Sequence, residues 1–309
     1  MTSLTNWIPV EYDPTTVSRA NQSSAILSLA NGIPMNTDTA YFRRSGGNGV
    51  TLGNTYSDDS SSHDKILLNA FKFGGQNKIS EDDLNDAESW GAVVQPLAND
   101  WLISLAVVLD NACIGVTATG DGSTVPFDSV YKKVRSNGTS SSSESSYTAD
   151  DNYINYNGTA SGAYDALSST LAKVEAGEYW DDTRALVIAH PAFRDVLRKA
   201  KDLQGQPIFV GGQGGDSGTP DTVFGVEIHW SRGAKTSPVP QGSPSGNPLL
   251  VFIGDRDNIL MRGDRSPIES RMSEGRAHDS TDEVALKFRT RVAFAVGNAK
   301  GASVCEKTA

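Results

Sequence analysis

At 309 residues, with 38% hydrophobic and 21% charged side chains, the chain is long enough for about two compact domains with a sizeable core. A formal net charge of -10 and a pI near 4.9 speak against a protein that grips nucleic acid by neutralising phosphates; DNA beside it is tolerated and not held. Residues 1–180 carry 10 Lys/Arg against 21 Asp/Glu and residues 181–309 carry 17 against 16, which fits either plain surface solubility or complementary halves meeting across copies of the chain. Two cysteines, Cys113 and Cys305, give no disulfide framework and suit a reducing compartment. The start, MTSLTNWIPVEYDP, lacks a basic leader with an apolar core, and the longest apolar stretch, Trp101 to Leu109, is about half a membrane span. A soluble cytoplasmic product without a membrane is expected.

Residues 1–40 hold one helical patch, Val17 to Ala30, with Ala25, Ile26, Leu29 and Ala30 on one side and Asn31-Gly32 ending it. Pro9, Pro14 and Pro34 favour extended backbone around it, so the segment reads as an arm that needs another surface. From Tyr41 to Phe73, aromatic and β-branched patches flank a polar run from Ser57 to Asp64. That pattern predicts a long two-stranded hairpin with no third strand, with an ordinary surface loop as the other reading. Ser80-Glu81-Asp82-Asp83-Leu84 looks like the start of a helix. Beyond it Trp90, Val94, Leu97, Trp101, Leu105, Val108 and Ala112 recur at helical spacing, giving up to about seven turns that end at Gly115. Pro96 is expected to kink that helix or split off its first turns.

Residues 117–158 lose periodicity, and the serine-rich run to Ser146 reads as a solvated loop. Tyr164, Leu167, Leu171 and Val174 mark one face of a helix closed by Gly177. Ala185 to Ala189 suits a buried strand. Pro191 then opens a helix with Phe193, Val196, Leu197 and Ala200 on one face, Asp195 early, Arg198, Lys199 and Lys201 late, and Gly205 as the stop. In the last strand Val284, Leu286, Phe288, Thr290, Val292, Phe294 and Val296 share one face. Lys287, Arg289 and Arg291 point the other way, to solvent or to an acidic neighbour.

Catalytic and metal chemistry is sparse. His63, His190, His229 and His278 lack zinc spacing, and His190 before Pro191 suits a capping role. Asp255, Asp257 and Asn258 lack the glycine and distant glutamate of a calcium loop. Gly211 to Gly215 is followed by no Lys-Ser/Thr, and no Gly-x-Ser-x-Gly elbow occurs. The acid clusters Glu81-Asp82-Asp83, Asp150-Asp151 and Asp181-Asp182 read as solvated caps. The glycosylation-like triplets at Asn21, Asn137 and Asn157 fit chance in so Ser/Thr/Asn-rich a chain. No catalytic residue, cofactor site or metal ligand is assigned, and the chain is expected not to be an enzyme.

Four segments in fixed order carry a resemblance: ALVIAHPAFRDVLRKAKDLQGQPIF (185–209), VFGVEIHWSRGA (223–234), PLLVFIGDRDNILMRGDRSPIESRMSE (248–274) and EVALKFRTRVAFAV (283–296). With the Ser80 to Asp86 helix start, they resemble the major capsid proteins of tailed double-stranded-DNA bacteriophages, a fold shared with encapsulins. The resemblance implies an α+β subunit with an N-terminal arm (1–40), an extended β-hairpin loop (41–76), a spine-helix peripheral domain (77–159 and 276–309) and an axial domain (160–275). It implies hexamers and pentamers closing an icosahedral shell around double-stranded DNA without sequence-specific binding. It makes Arg43, Arg44, Asp58, Asp59, Lys65, Lys287, Arg289 and Arg291 candidate inter-subunit contacts. Some relatives carry a cleavable scaffolding segment; about forty residues precede the hairpin here, so a separate scaffolding protein is expected, beside portal and possible cement proteins. Lys65 and Lys72 lie where some relatives cross-link, but no partner can be assigned, and non-covalent shells are expected. Two other readings stand: an encapsulin-like compartment around protein cargo, and a carbohydrate-binding or hydrolytic protein using Trp7, Trp90, Trp101, Trp180 and Trp230. The second needs exposed tryptophans, whereas Trp90 and Trp101 fall on the apolar helix face.

Overall fold

The computed structural model describes residues 22–45, 63–82, 90–136, 152–156, 162–177, 179–201, 205, 222–240, 249–254, 256–273 and 282–307. The strands sort into three sheets. In the first, β1 (Asn31–Pro34), β10 (Leu260–Ser273), β11 (Glu283–Val296) and β4 (Phe71–Ser80) lie side by side in that order. β11 alternates as its sequence requires: Leu286, Phe288, Thr290, Val292 and Phe294 are buried, while Lys287, Arg289 and Arg291 are exposed. Its partner β10 shifts register around Ser266 and Glu269, beside Pro267, whose ring removes the N–H that a regular ladder needs.

The buried face of this sheet receives the long helix α2 (Trp90–Ile114). Val94, Leu97, Ala98 and Trp101 pack against Ile79, Val284, Leu286 and Phe288. The Trp101 ring stacks on Phe288 with centroids 5.3 Å apart. Gly75 on β4 makes room for that indole, since a Cβ there would lie 2.8 Å from it. Of the two outcomes expected at Pro96, a kink or a split, the split does not occur: α2 runs through it as one helix. The residues flanking Pro96 are held on the sheet, and that packing outweighs the one backbone hydrogen bond the ring removes. Val94–Ile114 is long and apolar enough to cross a membrane by length and composition. Its packing on the sheet and the carboxylate it carries at Asp110 mark it instead as a core helix.

The second sheet orders β5 (Tyr153–Tyr156), β12 (Ala302–Lys307), β9 (Leu249–Ile253), β6 (Leu186–Ala189), β8 (Val226–Trp230) and β7 (Thr222–Val223). Every residue of β6 is buried because the sheet has a core on both faces. Val187 and Ala189 meet Leu167, Leu171, Phe193 and Leu197 from helices α4 (Gly162–Glu175) and α5 (Phe193–Lys199). Leu186 and Ile188 join the cluster that contains Leu109 of α2 and Val130 of α3 (Val130–Ser136). A continuous apolar run is what such a doubly covered strand needs.

The third sheet is the hairpin of β2 (Thr39–Ser45) and β3 (His63–Asn69), paired antiparallel from Thr39↔Asn69 to Ser45↔His63. It has no third strand among the described residues.

Several expectations need correction. The helix before β1 is α1 (Ala25–Leu29), capped by the Ser24 side chain at Leu27 N–H; Val17 to Asn21 lie outside the described residues. Phe71 and Phe73 belong to β4 and not to the hairpin. The stretch 117–158 contains α3 and β5, where no periodicity was expected to form either. Helix α5 stops at Lys199 because Ala200 is already extended, before Lys201 and Gly205. Tyr164 is exposed at 36%.

Candidate functional site

Chemistry on a bound molecule finds little support in the geometry. Among the described residues no group of three or more His, Cys, Asp or Glu side chains could hold a metal. Cys113 and Cys305 are buried, and burial pushes both thiols up, away from the nucleophilic thiolate. No tryptophan side chain described is exposed: Trp101 is stacked in the core, and Trp180 and Trp230 pack against the second sheet. The runs Gly211 to Gly215 and Asn137 to Ser146, together with Asp150-Asp151, Asp255 and His278, lie outside the described residues.

His190 closes the turn that leads into α5, whose own N-cap, Ala192, has no side-chain cap bond. Its Nδ1 accepts the Ala192 N–H at 3.1 Å. Burial, then Lys235 and Arg232, lowers its pKa from 6.5 to about 4. The unfolded chain therefore takes up this proton at higher pH than the folded one. Stability present above pH 6.5 is lost as the pH falls towards about 4. For a half-buried ring the loss should be of the order of 1–2 kcal/mol after solvent screening. His190→Asn keeps an acceptor and removes the titration, so its melting temperature should fall less steeply with acid than the wild type's. Parallel curves would remove His190 as the cause.

A buried polar centre holds the two large sheets to the long helix. Asp110 sits in the apolar part of α2, fully buried. Its Oδ1 accepts from Ser24 Oγ and, at 3.2 Å, from Ile26 N–H. Its Oδ2 accepts from Ala25 N–H at 2.9 Å and from Ser231 Oγ at 2.6 Å. Burial pushes this carboxyl up, and the four donors pull it back. Asp110 thus satisfies the amide end of α1, while Arg262 Nη1 donates to the Leu27 carbonyl at the other end. Beside it, Asn111 Nδ2 donates to the carbonyls of Gly233 and Lys235 at 3.0 and 2.8 Å. Sequence reasoning passed over both residues; the signal was a lone Asp-Asn pair inside an apolar helical run.

The hairpin and β11 carry the charged residues singled out from sequence, and the structure does not gather them into one cluster. Arg44 pairs with Asp64 across the hairpin and donates to the Gly297 carbonyl at 3.4 Å, tying the base of the hairpin to its own chain. Lys65 lies 6.0 Å from the Tyr41 ring centre, and Arg43 is exposed. Asp58 and Asp59 lie outside the described residues. Tyr41 and Leu67, both on the hairpin, are exposed at 62% and 45%. Arg289 makes a forked contact with Glu269 at 3.0 and 2.8 Å, and Arg291 approaches Asp38 at 3.5 Å. The acidic neighbours of those two arginines are therefore within the subunit. A cleft of about 1110 Å³ beneath the hairpin is lined by Arg44, Asp64, Phe71, Asp128 and Lys133 among others. Four of its charges pair with one another, Arg44 with Asp64 and Lys133 with Asp128 at 2.9 Å.

A two-stranded limb with apolar side chains in water is the profile of a subunit built for association. The sequence profile of the phage capsid family matches residues 5–306. The chain belongs to the phage capsid family. This capsid protein shares its fold with the capsid of a native GTA particle (TM-score 0.72, 16% identity, 100% of each chain covered). It is similarly close to the chains solved for Microbacterium phage Oxtober96 (0.68, 17%, 99% of this chain and 97% of that one) and Mycobacterium phage Bobi (0.70, 16%, 99% and 97%). No curated protein matches it significantly. It is an α+β structural major capsid protein, and its place is the multimeric shell of a virion.

Proposed function

We propose that six or five copies of this capsid protein form hexamers and pentamers that close an icosahedral shell around double-stranded DNA. One observation carries the reading: hairpin β2–β3 exposes Tyr41 and Leu67 with no third strand among the described residues. An isolated two-stranded ribbon is marginal in water and gains burial when it lies on a neighbour. Many such modest contacts add through multivalency. The net charge of -10 suits a wall that does not trap the enclosed DNA.

The axial unit is proposed to follow the six-stranded sheet. That draws in Tyr153–Tyr156 and Ala302–Lys307 from outside the interval 160–275 and assigns β10 to the peripheral unit with α2. Arg43, Arg44, Asp58, Asp59 and Lys65 on the hairpin are proposed contacts between subunits. Assembly is proposed in the host cytoplasm with a separate scaffolding protein, a portal and possible cement proteins. The subunit is proposed to need neither catalysis nor a cofactor, so its shells are non-covalent. A ladder of oligomers from mature particles on a denaturing gel would contradict that last point.

Cryo-microscopy of the chain co-expressed with its neighbouring genes tests the whole reading. DNA-sized shells are expected. Small cargo-filled shells would favour a protein nanocompartment, and a monomer that forms no particle under any regime would end the proposal.

A further inference from the structure

On the solvent side of the four-stranded sheet, the register sets like charges against each other. Arg291 stands opposite Lys72 on β4, and Lys287 stands opposite Arg271 on β10. Directly opposed side chains lie about 5 Å apart, so like pairs there destabilise an isolated sheet. Arg289 lies between the two pairs, with Glu269 across on β10 and Gly74 across on β4. Among the described residues only Glu269 and Asp38 answer these cations, through exposed contacts worth little in water. Lys72 and Lys287 have no ion pair among the described residues. Among the described residues strand β4 is an edge of its sheet, so a partner can approach the face and the rim together.

We propose that this face of β4, β11 and β10 is an interface for an acidic surface of a second copy of the chain. The inference rests on the assembly reading above and specifies which surface assembly uses. Charge complementarity argues for it. The chain supplies its own counterpart, since residues 1–180 hold 21 acids against 10 cations, and opposite potentials steer association and fix orientation. A line of phosphates fits less well, because Glu269 and Asp38 stand within the patch and would meet it head on. A protein surface places its acids one at a time and can avoid them.

The double variant Lys287→Glu with Arg291→Glu tests the idea, because subunit stability and assembly are expected to move in opposite directions. Each substitution puts an acid opposite Arg271 or Lys72, so the variant subunit should melt at the wild-type temperature or a few degrees above it. In sedimentation velocity at low salt its assembled fraction should fall more than tenfold, and wild-type assembly should itself weaken as salt is added. The pair Lys287→Gln with Arg291→Gln should fall between the two, and it carries the test if the reversed variant folds poorly. Wild-type yields of shells from these variants would overturn the proposal while leaving the capsid reading intact. Normal shells that enclose less DNA, with wild-type but not variant subunits binding random-sequence duplex at low salt, would also overturn it and assign the face to a polyphosphate. Failure of the wild-type chain to form any shell or capsomer would count against the assembly reading and take this proposal with it.

Discussion

Replacing Asp110 by alanine should lower the melting temperature by about 5–10 °C and free the segment around α1 from the long helix. The carboxylate has all its acceptor positions in use: two serine hydroxyls and two backbone N–H groups of α1 point at it. Alanine removes the acceptors and leaves the donors in place. The Ala25 and Ile26 amides belong to the first turn of a helix and have no intrahelical partner to fall back on. Each buried donor left unmade costs about 1–3 kcal/mol. Ser24 keeps its other role, capping Leu27 N–H at 3.2 Å. Relief of the buried charge acts in the opposite direction, but a carboxylate with four donors is well compensated, so the loss should win by about 3–4 kcal/mol. Asp110→Asn should fail as well, because its amide hydrogens would face two of the donors. Ser24→Ala should cost less, since it removes one donor together with its need. Hydrogen exchange locates the effect: the Ala25 and Ile26 amides should exchange faster while the middle of α2 stays protected. A melting temperature within a degree or two of wild type would show that Asp110 holds nothing.

Where the sequence was legible, one period dominated over many residues. β11 alternates buried and exposed residues from Leu286 to Val292, and α2 keeps helical spacing for 25 residues. Short elements were not legible because their partners are distant in sequence. Helix α3 reads VYKKVRS and buries only Val130, Tyr131 and Val134. Strand β5 exists because β12, some 150 residues later, lies beside it. In β4, Gly74-Gly75 interrupts the alternation, yet Gly75 is needed by the Trp101 ring. The family landmarks lie in the well-patterned second half of the chain. The opposed like charges could not be seen there at all, because the register shift beside Pro267 decides which residue Arg271 faces. The two polar anchors on α2 were visible only as exceptions to an apolar pattern, and a buried polar exception is the more informative kind.

Gly233→Ala should be at least as damaging as the loss of Asp110. Gly233 lies against the backbone of α2: a Cβ there would come within 2.6 Å of Asn111 N and of Asp110 Cβ, and 2.7 Å from the Val107 carbonyl oxygen. None of these atoms can be moved by a change of rotamer, so the segment 231–235 must lift from the helix. Lifting it breaks both Asn111 contacts, at 3.0 and 2.8 Å, and separates Ser231 Oγ from Asp110. Overpacking alone costs about 1–3 kcal/mol, and buried partners left unmade add a similar amount. Because this segment carries β8 of the six-stranded sheet onto the helix that backs the other sheet, limited proteolysis should open the chain between the two before either melts. Gly122→Ala is the control. Gly122 has φ +70 with nothing within 4 Å of an added Cβ, so only backbone strain of about 1 kcal/mol should appear. The double variant Asp110→Ala with Gly233→Ala should lose less than the two single losses together, since both break the same Ser231 contact. Strict additivity, or a Gly233→Ala subunit that melts with the Gly122→Ala one, would mean that the segment 231–235 does not join the sheets through α2.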